Sequence, residues 1–470
     1  MFERLFKLRE NGTTPRKEFG AGVTTFLTMS YIVFVQPAVL SGTMLGRPTG
    51  MDFGAVLTAT CLAAALASTI MGLYGRYPIA QAPGMGENFF FVFTAIPAAA
   101  AAGAAVPWAT ALGAVFISGL LFLVLSLVGV REAVMNAISP SMRHAIAAGI
   151  GLFIAFIGLQ NAGVIVKDPG TAVRLTQHLA SPDPIVFFVG LFVGGGLHAR
   201  RVRGAFLWGI LAAGLLAVTL KLLLPVVAPD LWQTQLFAES GLNRRFVIAD
   251  RVMAMPPSIE PTLLKMDVRG ALSLAMAPII GVFLFMVFFD TVGTLVGVAQ
   301  QAGLMRDGRL PRARQAFVSD AVGTVAGAAL GTSTVTSFIE SATGVEQGGR
   351  TGLTALTVAA LFLAALFFSP IVAMLGGYAP ITAPALVLVG GLMLRNVRDL
   401  AWDDGSELLP SFLVLIGIPL TYSIADGLAL GFIAYPLVKL VAGRVREVRA
   451  VSWAVAALLL VYFLLLRPGS

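Results

Sequence analysis

Two stretches decide how this chain folds: Tyr77-Pro-Ile-Ala-Gln-Ala-Pro-Gly-Met-Gly-Glu-Asn-Phe-Phe-Phe91 and Gly331-Thr-Ser-Thr-Val-Thr-Ser-Phe-Ile-Glu-Ser-Ala-Thr-Gly344. Each interrupts an otherwise apolar run. In the first, Pro78, Pro83, Gly84 and Gly86 disfavour a continuous helix. The second is rich in β-branched and hydroxyl residues and has glycine at both ends. Each reads as a short extended piece that turns into a half-helix. Backbone of that kind is tolerated at membrane depth only where protein buries it or it lines a cavity.

The rest of the chain is membrane material. Its 470 residues are 57% apolar and 12% charged, with a mean hydropathy of +0.87. A soluble domain carries about 25% charged residues, so too little polar surface remains for a soluble enzyme. The net charge of +8 is assigned to loops on the cytoplasmic side rather than to nucleic-acid binding. One cysteine, Cys61, and three scattered histidines, His144, His178 and His198, offer neither a disulfide nor a metal cluster. There is no Walker-type phosphate loop. Neither a metal, a cofactor nor a built-in ATP motor is expected.

The pattern predicts an all-α polytopic protein. A basic segment, 1–18, precedes apolar stretches at about 19–40, 52–73, 78–98, 107–130, 142–164, 184–198 and 204–227. A polar stretch covers 228–268. Apolar runs resume at about 271–301, 313–330, 331–346, 351–375 and 378–395, then a broken region at 408–442 and a last stretch at 451–466. With about 20 residues per crossing, 13–15 crossings follow. Pro419 and Asp426-Gly427 are expected to divide the 408–442 region. The first apolar run is too long for a signal peptide. The basic clusters Arg200, Arg201, Arg203 and Arg306, Arg309, Arg312, Arg314 place the N-terminus in the cytoplasm.

The two interrupted stretches occupy matching places. Gly84 lies 65 residues after the start of the first span, and Phe338 lies 67 after the start of the 271 span. Glu340 follows Glu87 by 253 residues, and Asp290 follows Gln36 by 254. Paired broken segments in corresponding halves point to an inverted repeat with a substrate site near the midplane.

Three intramembrane acids stand out. Asp290 shares a helix face with Gly293, Thr294 and Gly297. An acid at this depth costs at least about 2.5 kcal/mol, which favours a functional role over a purely structural one. The two glycines serve either a ligand or close helix packing. Glu340 opens the second half-helix, where the dipole favours a carboxylate, and Glu87 takes the equivalent place in the first half. Phe89 and Phe338 flank these acids. Carboxylates accept hydrogen bonds from N–H groups and aromatic rings stack on flat rings. No Arg or Lys lies at midplane depth near either break. The site therefore suits a neutral, planar, N–H-rich molecule, nucleobases included, although cations also satisfy this logic. A desolvated acid there is a plausible proton carrier.

Eight runs, collinear over nearly the whole chain, carry a resemblance: Asn11-Gly-Thr-Thr14, Thr24-Thr-Phe-Leu-Thr-Met-Ser-Tyr-Ile32, Ala82-Pro-Gly-Met-Gly86, Phe289-Asp-Thr-Val-Gly-Thr294, Gly331-Thr-Ser-Thr334, Ile339-Glu-Ser341, Gly348-Gly-Arg-Thr-Gly-Leu-Thr354 and Pro419-Leu-Thr-Tyr-Ser-Ile-Ala-Asp-Gly427. Together they resemble the AzgA-like branch of the nucleobase–cation symporters, the adenine/guanine/hypoxanthine permeases. The resemblance implies a fold similar to the bacterial uracil permease, with fourteen spans in two inverted seven-span repeats and short strands in spans 3 and 10. It divides the chain into a first repeat, 19–227 (core 19–130, gate 142–227), an extracytoplasmic loop, 228–268, and a second repeat, 271–466 (core 271–375, gate 378–466). The strands fall in the 80–84 and 332–338 regions.

By the same resemblance, Asp290 and Glu340 hold the base and Phe338 and Phe89 sandwich it. Glu87, Asn88, Gln36, Thr294 and Ser337 complete the expected site, and Glu340 or Asp290 carries the coupling proton. The implied activity is proton-coupled purine uptake at the plasma (inner) membrane, with no other cofactor and with a homodimer through the gate left open. The branch usually has a small or apolar residue where this chain has Glu87, and Asn where it has Gln36. The choice among adenine, guanine and hypoxanthine stays open. The competing expectation is an anion exchanger of the sulfate-permease type on the same fold.

Overall fold

The computed structural model describes residues 2–128, 139–305 and 310–461. Arg306, Arg309 and the end of the 451–466 stretch lie outside the described residues. Among those described, nine helical stretches are long and apolar enough to cross a membrane, and two shorter apolar ones, Met85–Ala101 and Gly405–Leu420, accompany them. The chain is a multi-pass membrane protein.

The first crossing is α1 (Pro15–Met29) followed by α2 (Tyr31–Leu40), and α3 (Phe53–Ile70) comes next. The chain then straightens into strand β1 (Gln81–Pro83) and turns into the six-residue α4 (Met85–Phe90). After α5 (Pro107–Val128) come α6 (Pro140–Asn161), α7 (Pro182–Ala199) and α8 (Ala205–Val227), with a small hairpin of β2 (Ile165–Asp168) and β3 (Ala172–Leu175) between α6 and α7. The polar 228–268 stretch is built of single helical turns and extended chain. The second half begins with α9 (Ala277–Gln301) and α10 (Ala313–Leu330). The 331–346 region is not a spanning helix. It is strand β4 (Val335–Ser337) and α11 (Ser341–Glu346). Then follow α12 (Gly352–Ala365), α13 (Ala379–Met393), α14 (Gly405–Leu420) and α15 (Ile424–Val441).

The 408–442 region divides within the interval that Pro419 and Asp426-Gly427 bracket. The chain turns at Thr421–Ser423, where Tyr422 has a φ of 55°, and Ser423 Oγ accepts from the Asp426 amide at 3.2 Å to cap α15. Pro419 rides inside the last turn of α14. Gly427 sits inside α15 because a Cβ there would fall 2.3 Å from the Ile418 amide nitrogen. It permits the closest approach of α14 and α15 rather than ending a helix.

Two packing groups emerge. In one, α12 packs on α1 and α3, and α10 packs on α3 and α5. Here Gly352 is indispensable, since a Cβ would lie 1.8 Å from the Gly72 carbonyl oxygen. Buried Glu18 fastens the start of α1 to the start of α12. Its carboxylate accepts from the Arg350 amide at 2.8 Å and from the Thr354 hydroxyl at 2.6 Å. In the other group, α6 packs on α13 and α14, α7 on α8 and α13, and α14 on α15.

At the centre of the first group β1 and β4 pair antiparallel, Gln81 opposite Ser337, Ala82 opposite Thr336 and Pro83 opposite Val335. A two-stranded ribbon leaves two bare edges, and no water is at hand in a bilayer to serve them. Hydroxyls on the neighbouring helices do so instead. Ser68 Oγ of α3 accepts from the Gln81 amide at 2.9 Å and donates to its carbonyl at 3.1 Å. Thr324 Oγ1 of α10 does the same for Val335, at 3.2 and 2.9 Å. Thr324→Val keeps the volume but orphans both groups of Val335, at about 1–3 kcal/mol per group. We expect a clearly lowered thermal midpoint in detergent, with Ser68→Ala behaving alike. Unchanged midpoints would mean that these hydroxyls are dispensable.

Candidate functional site

The strand pair ends at a cavity of about 1240 Å³ between the two packing groups. One wall comes from the first group: Tyr31, Glu87, Asp290, Thr336, Phe338 and Glu340. The opposite wall is largely apolar, with Ile146 and Ile150 of α6, Val389 of α13 and Phe432 of α15.

Each acid reaches the cavity for a local reason. Asp290 lies midway along α9 and is exposed to the cavity, together with Gly293. No atom stands within 4 Å of where a Gly293 Cβ would be, so this glycine opens space rather than seating a neighbouring helix. Thr294, one turn on from Asp290, lines the same wall. Glu340 precedes α11 and accepts a hydrogen bond from the Tyr31 hydroxyl at 2.8 Å. Glu87 is in the first turn of α4. Its carboxylate folds back over Gly84, where a Cβ would lie 2.2 Å from Oε2. Thr336, on β4, borders the cavity, with its hydroxyl beside the Asp290 carboxylate.

Three expected residues lie elsewhere. Phe89 is fully buried away from the cavity, stacked on Phe93 at 6.2 Å and edge-on to Phe153 at 6.3 Å. Two residues along a helix is a rotation of about 200°, so with Glu87 facing the cavity Phe89 must face away. Gln36 and Asn88 are also fully buried. The Asn88 amide donates to Gln36 Oε1, Ser333 Oγ donates to Asn88 Oδ1, and Gln36 Nε2 donates to the Thr332 hydroxyl at 2.9 Å. They brace the chain entering β4. Ser337 borders the cavity, but its hydroxyl is already committed.

That commitment is to Asp320, a buried acid that sequence reading passed over. Ser337 Oγ donates to Asp320 Oδ1 at 2.9 Å, and Thr291 Oγ1 donates to Oδ2 at 2.5 Å. Asp320 thus ties α10 to β4 and to the residue beside Asp290. The signal was present: an acid inside the Ala313–Leu330 apolar run. Asp320→Ala leaves two buried hydroxyls without an acceptor, at about 1–3 kcal/mol each, whereas Asp290→Ala removes a carboxyl facing open space. We expect thermal unfolding in detergent to show a much larger loss for the first substitution than for the second. Equal losses would refute the division into brace and site.

A family model described as "Permease family" matches residues 16–430. The chain is 40% identical to the guanine/hypoxanthine permease PbuO of Bacillus subtilis, covering 98% of this chain and 100% of that protein. Identity is likewise 40% to PbuG of the same organism, a guanine/hypoxanthine permease, over 98% and 99% of the two chains. It is 40% to the adenine permease AdeP of Escherichia coli, over 95% and 92%. Among solved structures, the transmembrane domain of the cyanobacterial bicarbonate transporter BicA aligns with a TM-score of 0.57 at 14% identity, over 89% of this chain and 97% of that one. The murine anion transporter Slc26a9 in its inward-facing state aligns with a TM-score of 0.60 at 11% identity, over 91% and 68%. At such identities these two show the fold alone. The sequence relatives go further: this chain belongs to the Permease family.

Proposed function

We propose that this protein imports purine nucleobases, among them adenine, guanine or hypoxanthine, by proton symport across the plasma membrane. The observation that carries the reading is the meeting of Asp290, Glu340 and Phe338 in one cavity between two packing groups. Relatives covering nearly its whole length are named for purine bases. In this reading Asp290 and Glu340 accept hydrogen bonds from the ring and exocyclic N–H groups, and Phe338 supports one face of the ring. The Thr336 hydroxyl, beside Asp290, offers a further hydrogen-bonding group to the base edge. Glu87 and Thr294 complete the polar wall, while Ser337, Gln36 and Asn88 hold it in shape and Phe89 packs behind it.

One acid, Glu340 or Asp290, takes up the proton that travels with the base. No other cofactor is invoked. The first packing group then moves against the second, as an elevator or by rocking, within a fourteen-span 7+7 frame whose N-terminus lies in the cytoplasm. The apolar outer faces of α7 and α8, such as Phe192 and Leu215, meet lipid or the gate of a second copy. The anion-exchanger alternative finds fold-level likeness only, and three carboxylates at the floor of the cavity repel an anion there.

The direct test is uptake of labelled adenine, guanine and hypoxanthine into cells lacking their own purine permeases. Uptake of at least one is expected, with Asp290→Ala and Glu340→Ala each reducing it by at least tenfold, the order of losing one charged hydrogen bond of about 1.5–3 kcal/mol. Uptake that survives both substitutions, or that sulfate or bicarbonate inhibits while purines do not, would sink the assignment. Proton coupling makes a separate demand. Uptake should rise with external acidity and collapse with a protonophore, and insensitivity to both would remove the symport while leaving the carrier.

A further inference from the structure

We propose that the mouth of this cavity is an anion subsite that takes the phosphates of a purine nucleotide, whose base enters the acid-lined floor. The protein would then be blocked by purine nucleotides from the side on which the cavity opens. The inference rests on the nucleobase reading above.

Arginines gather where helices end. Arg143 lies in the first turn of α6, Arg395 just past the last turn of α13, and Arg201 and Arg203 in the turn joining α7 to α8. All four line the cavity. Arg203 donates to Gln347 Oε1. Among the described residues no carboxylate forms an ion pair with Arg143, Arg201 or Arg395. Arg143 is partly buried at the edge of the cavity, and a phosphate oxygen is the acceptor that guanidinium geometry matches best. The acids are deeper. Asp290 stands eleven residues from the end of α9 at Gln301, an axial rise of about 16 Å.

Size points the same way. Small-molecule pockets run to about 300–1,000 Å³, and 1240 Å³ exceeds what a bare base fills. The charge order along the cavity, carboxylates inside and guanidiniums outside, matches a molecule with an N–H-rich ring at one end and anionic oxygens at the other. Glu346 also lines the mouth, and four arginines outweigh it. The two ends of such a ligand would rest on different packing groups, the ring on the Asp290 wall and the phosphates mainly on α6 and the end of α13. A ligand that bridges both groups pins them together. It is therefore an inhibitor and not a passenger.

The experiment uses the purified full-length protein in detergent, with the labelled nucleobase that binds it best. ATP and GTP are expected to displace that base competitively. Arg143→Gln and Arg395→Gln should each weaken the nucleotide by about tenfold, the loss of one charge-assisted hydrogen bond, while the nucleobase dissociation constant stays within about twofold. That second number also certifies folding. Arg143→Lys should recover part of the loss. If the base binds but neither nucleotide displaces it, the inference falls and the transport reading stands. Inorganic triphosphate that binds as tightly as ATP without displacing the base would mean a plain anion site and overturn it too. Loss of nucleotide competition in vesicles containing phosphatidylglycerol, against retention in phosphatidylcholine alone, would assign the arginines to lipid headgroups instead. If no nucleobase binds at all, both readings fail together.

Discussion

Everything at the centre of this protein follows from one requirement: backbone polar groups without a helical partner must find other partners in a place with no water. Straightening the chain at 81–83 and 335–337 breaks the helical ladder at the depth where that is most costly. The strands satisfy each other along one side, and Ser68 and Thr324 satisfy the remaining groups of Gln81 and Val335. The arrangement is two-fold in character, one hydroxyl from each half serving one strand of each half. Only with that settled can the ends of the strands serve as a platform from which Glu87, Thr336, Phe338 and Glu340 project.

The platform explains why acids can persist there. Asp290 and Glu340 border a space large enough for solvent or ligand, and Glu340 has the Tyr31 hydroxyl as well. Asp320 has no such outlet, and Ser337 and Thr291 donate to it instead. Carboxylates therefore do two jobs, bracing where donors enclose them and facing open space where they border the cavity. Facing the acids, the isoleucines and valine of the opposite wall add shape without competing for hydrogen bonds, while the arginines of that wall gather at the mouth.

Much of this was legible beforehand. Pro78, Pro83 and the glycines around them announced the first break, and the hydroxyl-rich 331–344 stretch announced the second, because neither composition can sustain a helix. Asp290 was visible as a charge in an apolar run. Side-chain direction was harder to read. Phe89 is two positions from Glu87 in sequence and on the opposite side of α4 in space, and without the helix phase it looked like a stacking residue. Asp320 was passed over although it too lies in an apolar run, because it belongs to neither interrupted stretch and its partners Ser337 and Thr291 come from other elements. The turn at Tyr422 falls between Pro419 and Gly427, as their spacing suggested, but Gly427 itself is a contact surface that brings α14 against α15.

The pairing of β1 with β4 has a consequence for biosynthesis. Gln81 enters the bilayer long before its partner exists, since Ser337 is encoded 256 residues later. At about 5–20 residues per second, the first strand waits roughly 10–50 s with one edge unserved. During that interval Ser68 can hold Gln81, but the groups that β4 will meet need a temporary host, such as the insertion machinery or a neighbouring span. Completion of the midplane is thus a late event in the life of the nascent chain, and neither half is a finished object until the other has arrived.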